Sequence, residues 1–244
     1  MSVIDDINSN SEIINDIYYK YVEEIRSNTY IKESYSGATS LNFIRKGFCI
    51  YNSKDCYVDS VLWEPGKVAV YESMGDVISF DFSGCMMAKI KSGNLLLYAH
   101  IHCDTSVSKD SRYDFVKFLE TNNIQDDQLV LFRPLCDDQY LHFPQPYDCR
   151  YVWGVITKEN KCYTIISNGK VEGDKIHLYL DSIYEHIHSN TDEELRAVMK
   201  KFLVNDSLKH DKTLFDVNRK ELDKVLNKNG IKKIPRVINQ SCRI

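Results

Sequence analysis

A 244-residue chain with 31 Lys plus Arg against 35 Asp plus Glu, net charge −4, carries no global footprint for nucleic acid or an anionic membrane surface. Hydrophobic content of 43% and charged content of 27% are ordinary for a globular protein, and no apolar run approaches the length of a membrane span. The start Met1-Ser2-Val3-Ile4-Asp5-Asp6 lacks the basic-then-apolar layout of a cleaved signal peptide, so synthesis in the cytoplasm is expected, with export by a signal-peptide-independent machine left open. The length suits one large domain or two small ones; without an internal repeat or interdomain linker, a single domain over residues 1–244 is expected. No two of the 8 cysteines are spaced as Cys-x-x-Cys, which speaks against zinc ribbons and thioredoxin-type motifs and for reduced thiols.

In chain order, residues 1–10, rich in Asp, Asn and Ser, are expected to fray. Asn10 or Ser11 opens a helix to about Asn28, with Ile14, Ile17, Tyr18, Tyr21 and Ile25 as its apolar stripe. Short strands follow at 47–51, 57–63, 67–71 and 77–82, with Glu64-Pro65-Gly66-Lys67 as a turn. A hairpin comes next, then a helix from Asp110 or Ser111 to about Asn122 with Phe115, Phe118 and Leu119 inward. Strands are expected at 128–132, 151–157, 162–167 and 175–180, with a long proline-bearing loop from Arg133 to Cys149. Thr191-Asp192-Glu193-Glu194 is a capping box for a further helix, and a last one spans about 218–227. The fold class is α+β: a mixed, mainly antiparallel sheet or β-sandwich core flanked by helices.

The hairpin carries the chemistry. Met86 to Lys91 and Leu95 to His102 flank Ser92-Gly93-Asn94, and both Ser-Gly and Gly-Asn suit a primed two-residue turn. A Ser92-Gly93 loop places Cys85 opposite His100; a Gly93-Asn94 loop places it opposite His102. In either register a thiol and an imidazole share one face, together with Met87, Lys89, Leu96 and Tyr98. The other face, Met86, Ala88, Ile90, Leu95, Leu97, Ala99 and Ile101, is apolar throughout and reads as core. A cysteine becomes a nucleophile when an imidazole takes its proton. Gly84, lacking a Cβ, would let a substrate carbonyl approach the backbone, where the Cys85 amide and a neighbour could hold an oxyanion.

Phe82-Ser83-Gly84-Cys85, with a histidine fifteen residues after the cysteine, resembles the catalytic pair of the cytotoxic necrotizing factor deamidases, and more distantly the chemoreceptor glutamine deamidases. The likeness covers about 25 to 40 residues, and Phe82 stands where those families carry Leu. It implies a mixed-sheet or sandwich core and a cysteine-dependent protein-glutamine deamidase working through a thioester, without cofactor. Cys85 would be the nucleophile, His100 the general base and acid, and the turn Ser92-Gly93. Ser83 and Gly84 would support the site, as would Ser79, at the position where some relatives carry Thr. It also implies a bacterial effector or toxin acting, in the cytosol of a target cell, on a protein substrate such as a small GTPase, with amine transfer as a side reaction. Further candidates are His102 and Asp104 beside the pair and Tyr98 on the same face. An alternative is a metal-dependent hydrolase built on His100-x-His102-x-Asp104, with His142, His177, His186 and His188 as further imidazoles; His186-x-His188 reads better as surface. A non-catalytic interaction protein is the third class.

Overall fold

The computed structural model describes residues 2–35, 43–53, 56–103, 111–135, 144–187, 220–221 and 224–236. The expected helix behind Thr191 and the residues His142, His188 and Asp104 lie outside them. The described elements run α1 (Val3–Ser9), α2 (Ile13–Ser27), β1 (Ile31–Ser34), β2 (Phe43–Asn52), β3 (Tyr57–Val61), β4 (Val68–Glu72), β5 (Asp76–Ser79), β6 (Met86–Ser92) and β7 (Leu95–Ile101). Then come α3 (Ser111–Thr121), β8 (Leu129–Phe132), β9 (Cys149–Ile156), β10 (Cys162–Glu172), β11 (Lys175–His186) and β12 (Ile231–Lys233). The α+β class is therefore met: helices pack on one large mixed sheet, ordered β12-β11-β10-β9-β5-β3-β2-β4-β7-β6-β8, with β1 paired to β2. Among the described residues, only β2–β4 and β3–β5 pair in parallel.

The sheet curls, and its side chains sort by strand alternation into three buried groups. Met87 of β6 and Phe132 of β8, from one end of the strand order, share a cluster with Val152 and Ile156 of β9 and Cys162 of β10 from the other half. That cluster is the inside of the curl. The opposite faces of β6, β7 and β8 (Met86, Ala88, Ile90, Leu97, Ala99, Ile101, Leu131) pack under Phe115, Phe118 and Leu119 of α3. The opposite faces of β3, β5, β9 and β10 pack under α1 and α2 through Ile7, Ile14, Ile17 and Tyr18. Lys89 of β6 ties the two halves, its Nζ donating to the Lys158 carbonyl at 2.8 Å and the Thr157 carbonyl at 3.4 Å beyond β9. Burial lowers the pKa of this ammonium, and the two carbonyls offset part of that cost.

Contrary to the expected fraying, residues 3–9 form a helix. Ser2 and Asp5 form a capping box on α1, whose Val3, Ile4 and Ile7 are buried. The buried Asp76 accepts from the Val3 amide at 2.8 Å and from the Lys158 amide at 3.0 Å. Composition cannot show this anchoring, because both partners are far away in sequence. In α2 the inner stripe is as expected except that Ile25 is exposed, and the residue at the N-cap is Glu12 rather than Asn10 or Ser11. Of the hairpin face expected to be core, Leu95 alone is exposed, at the turn.

Candidate functional site

The ladder of β6 and β7 fixes the hairpin register. Met86 pairs with Ile101, Met87 with His100 and Ser92 with Leu95, so the loop is Gly93-Asn94 and not Ser92-Gly93. Gly93 takes φ +61° at the first loop position, as a primed turn that begins with glycine requires. The spacing taken from the deamidase resemblance therefore selected the wrong turn. His100 faces Met87, and Cys85, one residue ahead of the first ladder pair, is a diagonal neighbour of His100 rather than its direct opposite. Diagonal partners sit about 7–8 Å apart at the backbone, and no hydrogen bond joins Cys85 Sγ to His100 Nε2. Both residues remain on one face, the inside of the curl. That face is buried rather than half-polar: Cys85 is 4% exposed, His100 1% and Tyr98 0%.

His100 is held on one side only. Its Nδ1 lies 2.8 Å from Ser79 Oγ, and Ser79 Oγ lies 2.5 Å from the Val61 carbonyl. A carbonyl can only accept, so the single hydroxyl proton of Ser79 goes to Val61 and its lone pair takes the proton on His100 Nδ1. The imidazole is thereby assigned to the Nδ1–H tautomer, with a lone pair on Nε2. Nε2 is fully buried and has no hydrogen-bond partner among the described residues. The ring of Phe82 lies flat on the imidazole, centroids 4.3 Å apart and planes 6° from parallel. Burial holds the imidazole far below its ordinary value, at about 3, with His102 and Lys46 pushing the same way. At neutral pH it is an uncharged base.

The residues around this pair follow from the connection between β5 and β6. Phe82 is buried and donates its amide to the Val152 carbonyl at 3.3 Å, Ser83 is exposed, Gly84 is half-buried and Cys85 returns to the interior. Gly84 has φ +148°, and a Cβ there would meet nothing closer than the Cys103 carbonyl at 4.0 Å. Glycine is required by backbone conformation, not by crowding. None of the six described cysteines is in a disulfide, so Cys85 is a thiol.

The remaining candidates have structural tasks. His102 accepts the Gly66 amide on Nδ1 at 3.1 Å, its own amide bonds the Lys67 carbonyl, and its ring lies beside Trp63. The Glu64-to-Lys67 turn is thus pinned to the end of β7. Tyr98 donates to the Gly75 carbonyl at 3.0 Å and lies under the Lys89 ammonium. No three His, Cys, Asp or Glu side chains among the described residues are grouped so as to hold a metal ion. His186, read from the sequence as surface, is 4% exposed: its Nε2 meets Thr164 Oγ1 at 2.8 Å, its Nδ1 meets Asn227 Oδ1 at 3.2 Å, and its ring edges against Phe132. Two features had no sequence signal, the Phe82 stack and the bare backbone at Gly154 beneath it. An open groove between α2 and the β10–β11 turn, lined by Tyr18, Val22, Arg26 and Ile176 among others, lies on the outer face and includes none of these residues.

Neither known protein families, nor characterised proteins, nor solved structures give a match to this chain.

Proposed function

We propose that the chain is a cysteine-dependent hydrolase of carboxamides, a protein-glutamine deamidase, with Cys85 as nucleophile and His100 as its base. The observation that carries this reading is the buried His100, fixed by Ser79 with an unpartnered Nε2 lone pair on the face it shares with Cys85. Because this imidazole is neutral, the reaction starts from thiol and imidazole rather than from a standing ion pair. Cys85 Sγ attacks the glutamine carboxamide carbon while its proton passes to His100 Nε2. The amides around Gly84 and Cys85 receive the oxyanion, where each well-placed donor contributes a few kcal/mol. The imidazolium then protonates the leaving nitrogen, the C–N bond breaks and ammonia departs. Water, deprotonated by Nε2, adds to the thioester; the C–S bond breaks, the thiol regains its proton, and glutamate is released. An amine arriving before water gives transamidation instead.

The substrate is a protein whose glutamine side chain enters where Ser83 and Gly84 reach the surface. The resemblance supports small GTPases of a target cell as the first candidates, with this chain as an effector or toxin. The test is incubation with purified small GTPases and with unfolded casein as a generic glutamine source. Expected are ammonia release and a glutamine one mass unit heavier, both lost in Cys85→Ala. Activity that survives Cys85→Ala, or that chelators abolish, would overturn the reading.

A further inference from the structure

Three segments that are distant in sequence converge on one backbone position. Gly154 of β9 faces the inside of the curl between Ser79 of β5 and Thr164 of β10, its partners in the two neighbouring ladders. A Cβ on Gly154 would lie 2.9 Å from Pro134 Cγ, 3.0 Å from Phe82 Cε2 and 3.2 Å from Met87 Sδ. All three are closer than a normal carbon contact, and the proline ring has no soft torsion with which to retreat. The exit of β8 is held there, because the Leu135 amide donates to Thr164 Oγ1 at 3.0 Å. The Phe82 ring is therefore pressed into a slot with Gly154 as floor and the His100 ring stacked on it.

We propose that Gly154 and Phe82 are positioning residues for His100: the bare backbone at Gly154 opens the slot, and the Phe82 ring fills it and sets the plane of the imidazole. Ser79 alone fixes one ring atom, around which the imidazole can still pivot. The stack removes that freedom, so Nδ1 stays on Ser79 and Nε2 stays turned away from it. The same ring keeps water off the imidazole, in line with its low proton affinity. A flat ring performs this task and a branched aliphatic one does not, which separates this chain from the Leu-Ser-Gly-Cys pattern. The inference rests on the proposed role of His100 for its catalytic half and on geometry alone for its structural half.

The experiment uses the full chain labelled with ¹⁵N-histidine, with His100 resonances assigned through His100→Gln and imidazole tautomers read from long-range proton–nitrogen correlations. Wild type is expected to show one tautomer at His100, protonated on Nδ1, that does not titrate down to pH 5. Phe82→Leu and Gly154→Ala should each give exchanging tautomers and a raised His100 pKa. Both should reduce kcat about 10–100-fold with KM within about twofold, the signature of misplacement rather than lost binding. Phe82→Tyr, which keeps the flat ring, should retain the single tautomer. A variant that fails to unfold cooperatively is set aside and the other decides. An unchanged single tautomer in a folded Phe82→Leu or Gly154→Ala protein overturns the proposal. Activity independent of Cys85 sinks the deamidase reading instead and leaves the tautomer result standing, so the two failures are distinct.

Discussion

Of the buried histidines among the described residues, two lean on a hydroxyl, His186 on Thr164 of the adjacent strand and His100 on Ser79 of β5, which is not adjacent to β7 in the sheet. His186 uses both nitrogens, Nε2 toward Thr164 and Nδ1 toward Asn227. His100 uses one, toward Ser79, and keeps a buried lone pair. A buried acceptor without a partner costs about 1–3 kcal/mol, so a fold that retains one stores a capacity that a satisfied group lacks. The two sites differ in that one nitrogen, and in the proposed reading the vacant nitrogen of His100 is what makes it the base.

The largest expected contrast is catalytic. His100→Gln should lower deamidation by on the order of 10⁴-fold, whereas His186→Gln should leave kcat within a few-fold once folding is verified. Equal losses in the two variants would erase the distinction.

Acid should act on His100 next. The folded pKa of His100, about 3, lies below the unfolded value, so the folded state binds fewer protons and stability falls as pH drops below about 6.5. Fully expressed by pH 3, the loss is roughly 4–5 kcal/mol, and His100→Gln should flatten this limb in urea titrations across pH 4–7. Asp59 and Asp76, whose carboxyl pKa values are raised by burial, work with the opposite sign and gain stability as pH falls through their folded values. The substitution isolates the histidine contribution from theirs.

The hydroxyl partners offer a finer comparison. Ser79→Ala removes the hydroxyl from the Val61 carbonyl and His100 Nδ1, and Thr164→Val removes it from the Leu135 amide and His186 Nε2. Each should cost about 2–4 kcal/mol in chemical denaturation, but Ser79→Ala alone should also slow the reaction. The smallest effect is expected at Gly84, where alanine at φ +148° should cost about 1–2 kcal/mol of stability with both histidines undisturbed. Thermal melts with unchanged His100 and His186 resonances would check it.

Much of this organisation is legible in the residues. Period-two alternation placed Met86, Ala88, Ile90, Leu97, Ala99 and Ile101 on one face and Cys85, Met87, Tyr98 and His100 on the other, as found. Helix α3 and its inward Phe115, Phe118 and Leu119 were equally plain. The turn was not, because Gly93 satisfies either two-residue loop and only the assembled ladder chooses between them. The short edge strands β1 and β12 take their identity from the strands they join, and Ile31–Ser34 has no buried residue to announce it. The burial of His186 depends on Thr164 and Asn227, distant in sequence, and the slot at Gly154 on three segments that meet only in the fold. Ser79 is legible beside His100 from the residues, whereas the Phe82 stack exists only in the fold.

Asp76 gives α1 a significance beyond its length. One carboxylate receives the Val3 amide, from the start of the chain, and the Lys158 amide, at the turn between β9 and β10. Neither amide can be released without stranding a buried charge, so the two openings are a single event. Hydrogen exchange at Val3 and Lys158 should therefore report one shared opening free energy, although 155 positions separate them along the chain. The seven residues of α1 thus act as a clasp, and loosening them would be sensed at the turn whose carbonyls hold Lys89 across the curl.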